Sequence, residues 1–199
     1  MTRNAVLNEY GPTSRLLHWM TVLLVIVAWI LGTFGEDLFG EGEEAARSAA
    51  VGLNLHIWAG LAILMIAALR FPWRIANPPP PAEANEFNRW LISWTDPAAR
   101  LTHYALYLLL FVVPIAGILL QLSRGHALSL FGLAEIASPF SADRGLAHNL
   151  KELHEILADL LVIVALFHAT AAVIHHVVFR DSTLVRMAPW LRKVDPKIR

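Results

Sequence analysis

Nine histidines and no cysteine set the chemistry open to this 199-residue chain. Four of them, His154, His168, His175 and His176, fall in one apolar run, residues 153–179. Imidazole is costly in hydrocarbon, and inside a membrane span it usually faces the bundle interior and marks a function. From His154 to His168 is fourteen residues. At about 100° per residue the two rings leave the helix within about 40° of one another. At about 1.5 Å per residue they stand roughly 21 Å apart along its axis. One helix therefore offers two imidazoles on one stripe, near opposite sides of a bilayer. The lack of cysteine excludes disulfides, thiolate zinc sites, iron–sulfur clusters and covalently attached haem, leaving histidine as the obvious soft ligand.

The elements that must hold these rings are apolar helices. The chain is 56 % hydrophobic with a formal net charge of zero, too apolar for an ordinary soluble domain and without the basic excess that nucleic acid demands. Four stretches approach or exceed the roughly 20 residues that cross a bilayer: about 16–34, 53–71, 101–122 and 153–179. Thr13 or Ser14 can cap the first after Pro12. Arg70, Pro72, Trp73 and Arg74 close the second as a basic and aromatic interface anchor. The proline run at 78–81 reads as a stiff connector, and Trp90, Leu91 and Trp94 suit a short interfacial helix. Pro114 and Gly117 mark a kink or a small-residue face in the third span. A polar, irregular loop with a short helix near 144–151 precedes the fourth, and residues 180–199 form a basic tail. The N-terminus lacks a signal-peptide pattern, so the first span is expected to be retained. No internal repeat stands out. The expectation is one all-α membrane domain over 1–199, a four-helix transmembrane bundle.

Lysine and arginine orient it. The N-terminus, second loop and tail carry 12 of the 16 basic residues, which places both termini in the cytoplasm. His18 then opens the first span on the inner side, and His56 opens the second on the outer side. His154 shares the level of His56, and His168 that of His18. Two cross-helix pairs result, His56 with His154 and His18 with His168.

Facing imidazole pairs are what a six-coordinate haem b needs, one ring on each axial face. Each ligating nitrogen must be unprotonated, with the other donating to a carbonyl or carboxylate. Ala59, Gly60, Ala165, Ala169, Ala171 and Ala172 are small enough to admit a porphyrin, though alanines in membrane helices also serve plain packing. A lone membrane histidine can be a hydrogen-bonded packing residue; four that pair at two depths make coincidence a poor account. A metal-ion transporter is the other use of such residues, but zinc wants three or four protein ligands. Only Glu155 and Asp159 add carboxylates, near one end. A di-iron site would need Glu-x-x-His motifs, and none occurs.

Five segments resemble the bacterial cytochrome b561 family of four-helix, di-haem membrane proteins. They are RLLHW at 15–19, LHIWAGL at 55–61, THYALYLLLFVVPIAG at 102–117, LKELHEILADL at 150–160 and FHATAAVIHHVVFRDSTLVRM at 167–187. They run in family order across nearly all of 15–188, and the family's ligand histidines fall on His18, His56, His154 and His168. The resemblance implies two b haems, an inner one on His18/His168 and an outer one on His56/His154, in a multi-pass protein of the bacterial inner membrane. One branch of the family takes electrons from superoxide at the outer face and delivers them to ubiquinone near the inner face. Other members relay electrons between quinone and a partner dehydrogenase or reductase. The compact chain with short loops is more similar to the first branch, in which no protein partner is required.

The remaining candidates have competing readings. His175 lies two turns past His168 on nearly the same face, suited to a quinone carbonyl, to proton transfer, or to a haem propionate. Lys151, one turn before His154, can attract superoxide with Arg124 and Arg144, or pair with a propionate. Lys151 and His175 are thus the candidate catalytic groups. His103 enters the third span at the inner level as a supporting or propionate contact. Arg15, Arg70, Arg74 and Arg100 match carboxylate geometry on that side, or simply anchor the interface. His126 and His148 are expected in solvent.

Overall fold

A computed structural model of the protein describes residues 10–35, 43–78, 80 and 89–193. Helix α1 is Pro12–Phe34, α2 Glu43–Ala76, α3 Arg89–Ser123 and α4 Arg144–Val177. Each contains a stretch long and apolar enough to cross a membrane: Pro12–Phe34, Ala49–Ala76, Thr95–Ser123 and Arg144–Val177. Leu101, Tyr104, Leu108 and Phe167 are among many apolar side chains left exposed. In a four-helix protein of this length that surface has lipid as its solvent.

The four expected spans are present, and their helices are longer than expected. Helix α1 starts at Pro12 in the N1 position, after Gly11 as N-cap with no side-chain cap bond. Neither Thr13 nor Ser14 caps it, because the helix already begins at Pro12, whose missing N–H is an orphan at N1 anyway. Pro72 does not end α2, which continues to Ala76. The expected interfacial helix is the start of α3, which runs unbroken past Pro97 and Pro114; of the proline run before it, only Pro78 and Pro80 are described. The short helix at 144–151 is the first two turns of α4, capped by Asp143, whose Oδ1 accepts from the Leu146 N–H at 3.0 Å. The 123–143 loop is not wholly irregular. Strands β1 (Leu128–Leu130) and β2 (Ala134–Ile136) pair antiparallel, with Leu128 opposite Ile136. Phe131 and Gly132 both have positive φ, the turn geometry whose twist suits a tight hairpin. In the tail, α5 (Thr183–Met187) and a 3₁₀ turn (Pro189–Lys193) fold back. The Trp19 indole N–H donates to the Met187 carbonyl at 2.9 Å, and the Trp19 ring lies 5.3 Å from that of Trp190.

Packing is uneven among the helices. Helices α1 and α2 form one close hairpin, α3 and α4 another, and α2 joins α3 more loosely. The core is Ala28 of α1, Ala59, Ile63 and Ala67 of α2, Leu109, Leu110 and Val113 of α3, and Leu161 of α4. Helix α4 otherwise buries only Ala147. Among the four long helices α4 packs closely on α3 alone, and its histidines reach α1 and α2 through the facing imidazoles. The β-hairpin packs on α2 and α3 at one end of the bundle. The described chain starts and stops at the other.

Candidate haem sites and their surroundings

At the hairpin end, His56 of α2 and His154 of α4 face one another with ring centres 6.0 Å apart and planes at 81°. His56 Nδ1–H donates to the Ala28 carbonyl at 2.8 Å, and His154 Nδ1–H donates to the Val113 carbonyl at 3.0 Å. A carbonyl only accepts, so both rings carry their proton on Nδ1 and leave Nε2 with a free lone pair. This is the tautomer an axial ligand needs. Both rings sit against a glycine. A Cβ at Gly32 would come within 2.9 Å of His56 Cε1, and one at Gly117 within 3.0 Å of His154 Cε1.

At the termini end, His18 of α1 and His168 of α4 have ring centres 6.4 Å apart. His103 of α3 approaches His168 at 5.1 Å and donates Nδ1–H to its own helix at the Ala99 carbonyl, 2.6 Å away. The Arg70 guanidinium donates through Nη2 to His18 Nδ1 at 3.0 Å and lies over the Tyr107 ring. Arginine has no acceptor, so His18 accepts at Nδ1 and carries its proton on Nε2. Ligation through Nε2 therefore requires Arg70 to turn away. Arg70 also lines a small cavity with Tyr10, Ser14, Trp73, Arg74 and Tyr107.

The distances test the fit of iron between the rings. An imidazole–metal bond of about 2.0 Å plus about 1.1 Å from nitrogen to ring centre, counted on both sides, gives about 6.2 Å. The two pairs, at 6.0 and 6.4 Å, bracket that value. The ring separations of both pairs fit a bis-histidine haem, and at the hairpin end the tautomers fit it as well. Among the described residues no group of three or more His, Cys, Asp or Glu side chains is placed to hold a metal ion. The additional ring of His103 thus does not make a zinc-type site at the termini end.

Past His168, the helix ends in a tight turn with Arg180 at φ 51°, a left-handed position usually given to glycine. The turn brings the Asp181 carboxylate onto His175. His175 Nδ1–H donates to Asp181 Oδ2 at 2.6 Å, and the Thr183 backbone N–H donates to Oδ1 at 2.9 Å. The Asp181 side chain is 7 % exposed and that of His175 22 %. Burial pushes the Asp181 carboxyl up, but the bonds from His175 and Thr183 outweigh it and hold the group below its ordinary value. Nothing in sequence spacing points to Asp181, because the contact depends on a backbone turn.

The other candidates are dispersed. Lys151 is exposed and pairs with Glu155 at 3.5 Å, and Arg144 is exposed close by. His148 pairs with Glu152 at 3.2 Å, and Arg100 with Asp96 at 3.9 Å. His126 is exposed, as expected. Arg15 and Arg74 are half-buried at the termini end. Arg186, within the basic tail, is buried and donates Nε–H to Ser182 Oγ at 2.9 Å.

Comparison with known proteins identifies the family. The family model described as prokaryotic cytochrome b561 matches residues 9–190. The chain is 33 % identical over 178 residues to a Yersinia pestis protein named "Probable superoxide oxidase CybB", covering 87 % of this chain and 92 % of that one. It is 31 % identical over 180 residues to cytochrome b561 homolog 2 of Escherichia coli (strain K12), covering 90 % of each. With cytochrome b562 of Cereibacter sphaeroides it shares 28 % over 171 residues, 86 % of this chain and 89 % of the other. With its four membrane-length helices and facing histidines, the chain belongs to the prokaryotic cytochrome b561 family, haem-binding electron-transport proteins of the inner membrane.

Proposed function

We propose that the protein is a single-domain, di-haem superoxide:ubiquinone oxidoreductase with its hairpin end in the periplasm and both termini in the cytoplasm. The observation that carries this reading is the pair of cross-bundle imidazole couples, spaced for iron at two depths. His56 and His154 hold the periplasmic group, and His18 and His168 the cytoplasmic one. A haem b at each position supplies one-electron chemistry between ferric and ferrous iron.

The chain's own groups supply the rest. His56 and His154 would hold the haem that exchanges single electrons with a small anionic donor. Lys151 lies one turn from His154 on the exposed start of α4, with Arg144 two turns before it, and these cations raise the local concentration of an anionic donor. Two superoxide anions give up two electrons and leave as dioxygen; one ubiquinone takes both electrons with two protons. At the cytoplasmic end His175 has its Nδ1 proton held by Asp181, so Nε2 is an acceptor that can take up a proton from the cytoplasm and, once protonated, donate it to a quinone oxygen. His103, Arg15, Arg70 and Arg74 cluster near the termini end and would be available to pair with the propionates of a haem held by His18 and His168. The name of the Yersinia pestis relative, a probable superoxide oxidase, supports the choice of donor.

Two measurements test the reading. A dithionite-reduced spectrum with a haem count gives two haems per chain, and a haem-free purified protein would end the proposal. Stopped-flow mixing with superoxide reduces the haems, and added quinone reoxidises them. Haems that superoxide leaves ferric, but that a quinol reduces, would make the protein a relay for a partner dehydrogenase or reductase.

A further inference from the structure

The two helical hairpins are one device used twice. Residues 12–32, PTSRLLHWMTVLLVIVAWILG, align without a gap on residues 97–117, PAARLTHYALYLLLFVVPIAG. Pro12 falls on Pro97, Arg15 on Arg100, His18 on His103 and Gly32 on Gly117, so each of these helices carries a glycine fourteen residues after a histidine. The partner helices align on Leu55-His56 and Leu153-His154, with Arg70 and His168 each fourteen residues further on.

The contacts obey the same correspondence. His56 bonds the carbonyl of Ala28, four residues before Gly32, and His154 bonds that of Val113, four before Gly117. A helical carbonyl points along the axis toward residue i+4. A ring reaching that carbonyl from the next helix must pass over the i+4 side chain, and the two short Cβ distances show that only glycine allows it. At the termini end the equivalent within-hairpin contacts are His18 with Arg70 and His103 with His168. There the copies have diverged, with a guanidinium standing where the second hairpin has an imidazole.

We propose that Gly32 and Gly117 are equivalent positioning residues of a duplicated hairpin, seating both hairpin-end histidines on carbonyls, and that Arg70 makes the termini-end pair the electron-poorer of the two. The inference rests on the di-haem reading above. An imidazole whose Nδ1–H is hydrogen-bonded is the more basic ligand and favours ferric iron. A nearby guanidinium disfavours the extra positive charge of that state. The hairpin-end haem is thus the lower in potential, and electrons run downhill toward the termini end.

The test is potentiometric optical spectra, with electron paramagnetic resonance of the ferric haems, on the purified haem-loaded protein in detergent. The wild-type chain should show two components, and His154→Ala should delete the lower-potential one. Gly32→Ala and Gly117→Ala should each favour ferrous iron in that component by about five-fold at fixed potential, the worth of one hydrogen bond, or lose it. The other component stays in place and reports an intact fold. Arg70→Gln should shift only the higher component, downward. Glycine variants with both components unmoved would overturn the proposal, as would loss of both haems from a chain still helical by circular dichroism. Where a glycine variant yields no protein, His154→Ala decides: deletion of the higher-potential component refutes the proposed order. A wild-type protein with fewer than two haems would instead defeat the di-haem reading itself.

Discussion

Replacing Asp181 by asparagine tests the joint between α4 and the folded-back tail. The carboxylate accepts from His175 at 2.6 Å and from the Thr183 N–H at 2.9 Å, in a place only 7 % exposed. Asparagine keeps the volume and one carbonyl oxygen, which can stay on Thr183. Its amide nitrogen then faces His175 Nδ1–H, donor against donor. The loss is one hydrogen bond to a charged acceptor, about 1.5–3 kcal/mol. The pairing is largely shielded from water, which argues against the low values of exposed ion pairs. Local opening of residues 174–187 should become about 10- to 150-fold more frequent. Hydrogen exchange by mass spectrometry in lipid nanodiscs measures this, with a mid-α1 peptide as internal control. The dependence on pH has a definite sign. The Asp181 carboxyl lies below its ordinary value of 3.8 in the folded protein. Its contribution is therefore complete above that value and is lost as pH falls through the lower, folded one. The gap in protection between wild type and variant should be full at neutral pH and close in acid. Equal exchange at pH 7 would refute the argument. A gap that persists unchanged in strong acid would assign it to shape and not to charge.

Three further outcomes follow from the site geometry. His154→Ala should take haem stoichiometry from two per chain to one; retention of two would break the proposed pairing. Lys151→Ala should slow superoxide reduction of the haems about two-fold, the effect of one charge acting over about 10 Å of water, and weaken its salt dependence. Glu155→Gln, which removes the opposing charge 3.5 Å from Lys151, should speed it by a similar factor, and rates insensitive to both changes would leave the pair structural. His175→Ala should leave both haems in place while impairing quinone reduction, checked by haem count and by steady-state reduction of a short-chain ubiquinone.

The spans and the histidine levels are legible in the sequence because both follow from single-helix geometry. A fourteen-residue step on α4 sets a height and a face before any neighbour is known, and apolar runs of membrane length declare themselves. What depends on two helices at once is not legible. That His56 reaches the Ala28 carbonyl needs the α1–α2 spacing, and Gly32 looks like any membrane glycine until a ring is found against it. The hairpin repeat is hidden for a related reason. Hydropathy treats His18 and His103 as interruptions of separate spans, and the unlike loops between the copies obscure the register. Helix ends differ from expectation wherever polar residues continue a helix out of the apolar zone, as at the starts of α3 and α4. Arg186 is buried despite its charge because the turn at Arg180 folds its segment inward.

Helix α4 contributes one partner to both histidine pairs, while the other partners lie on α2 and α1. A chain threaded into the bilayer from its N-terminus therefore holds no complete pair until α4 has left the ribosome. Two finished helices, or even three, present only single imidazoles to whatever metal or porphyrin is near. On the ligation proposed above, loading becomes the closing act of biosynthesis, and a product that ends before α4 would lack the second ligand at either level.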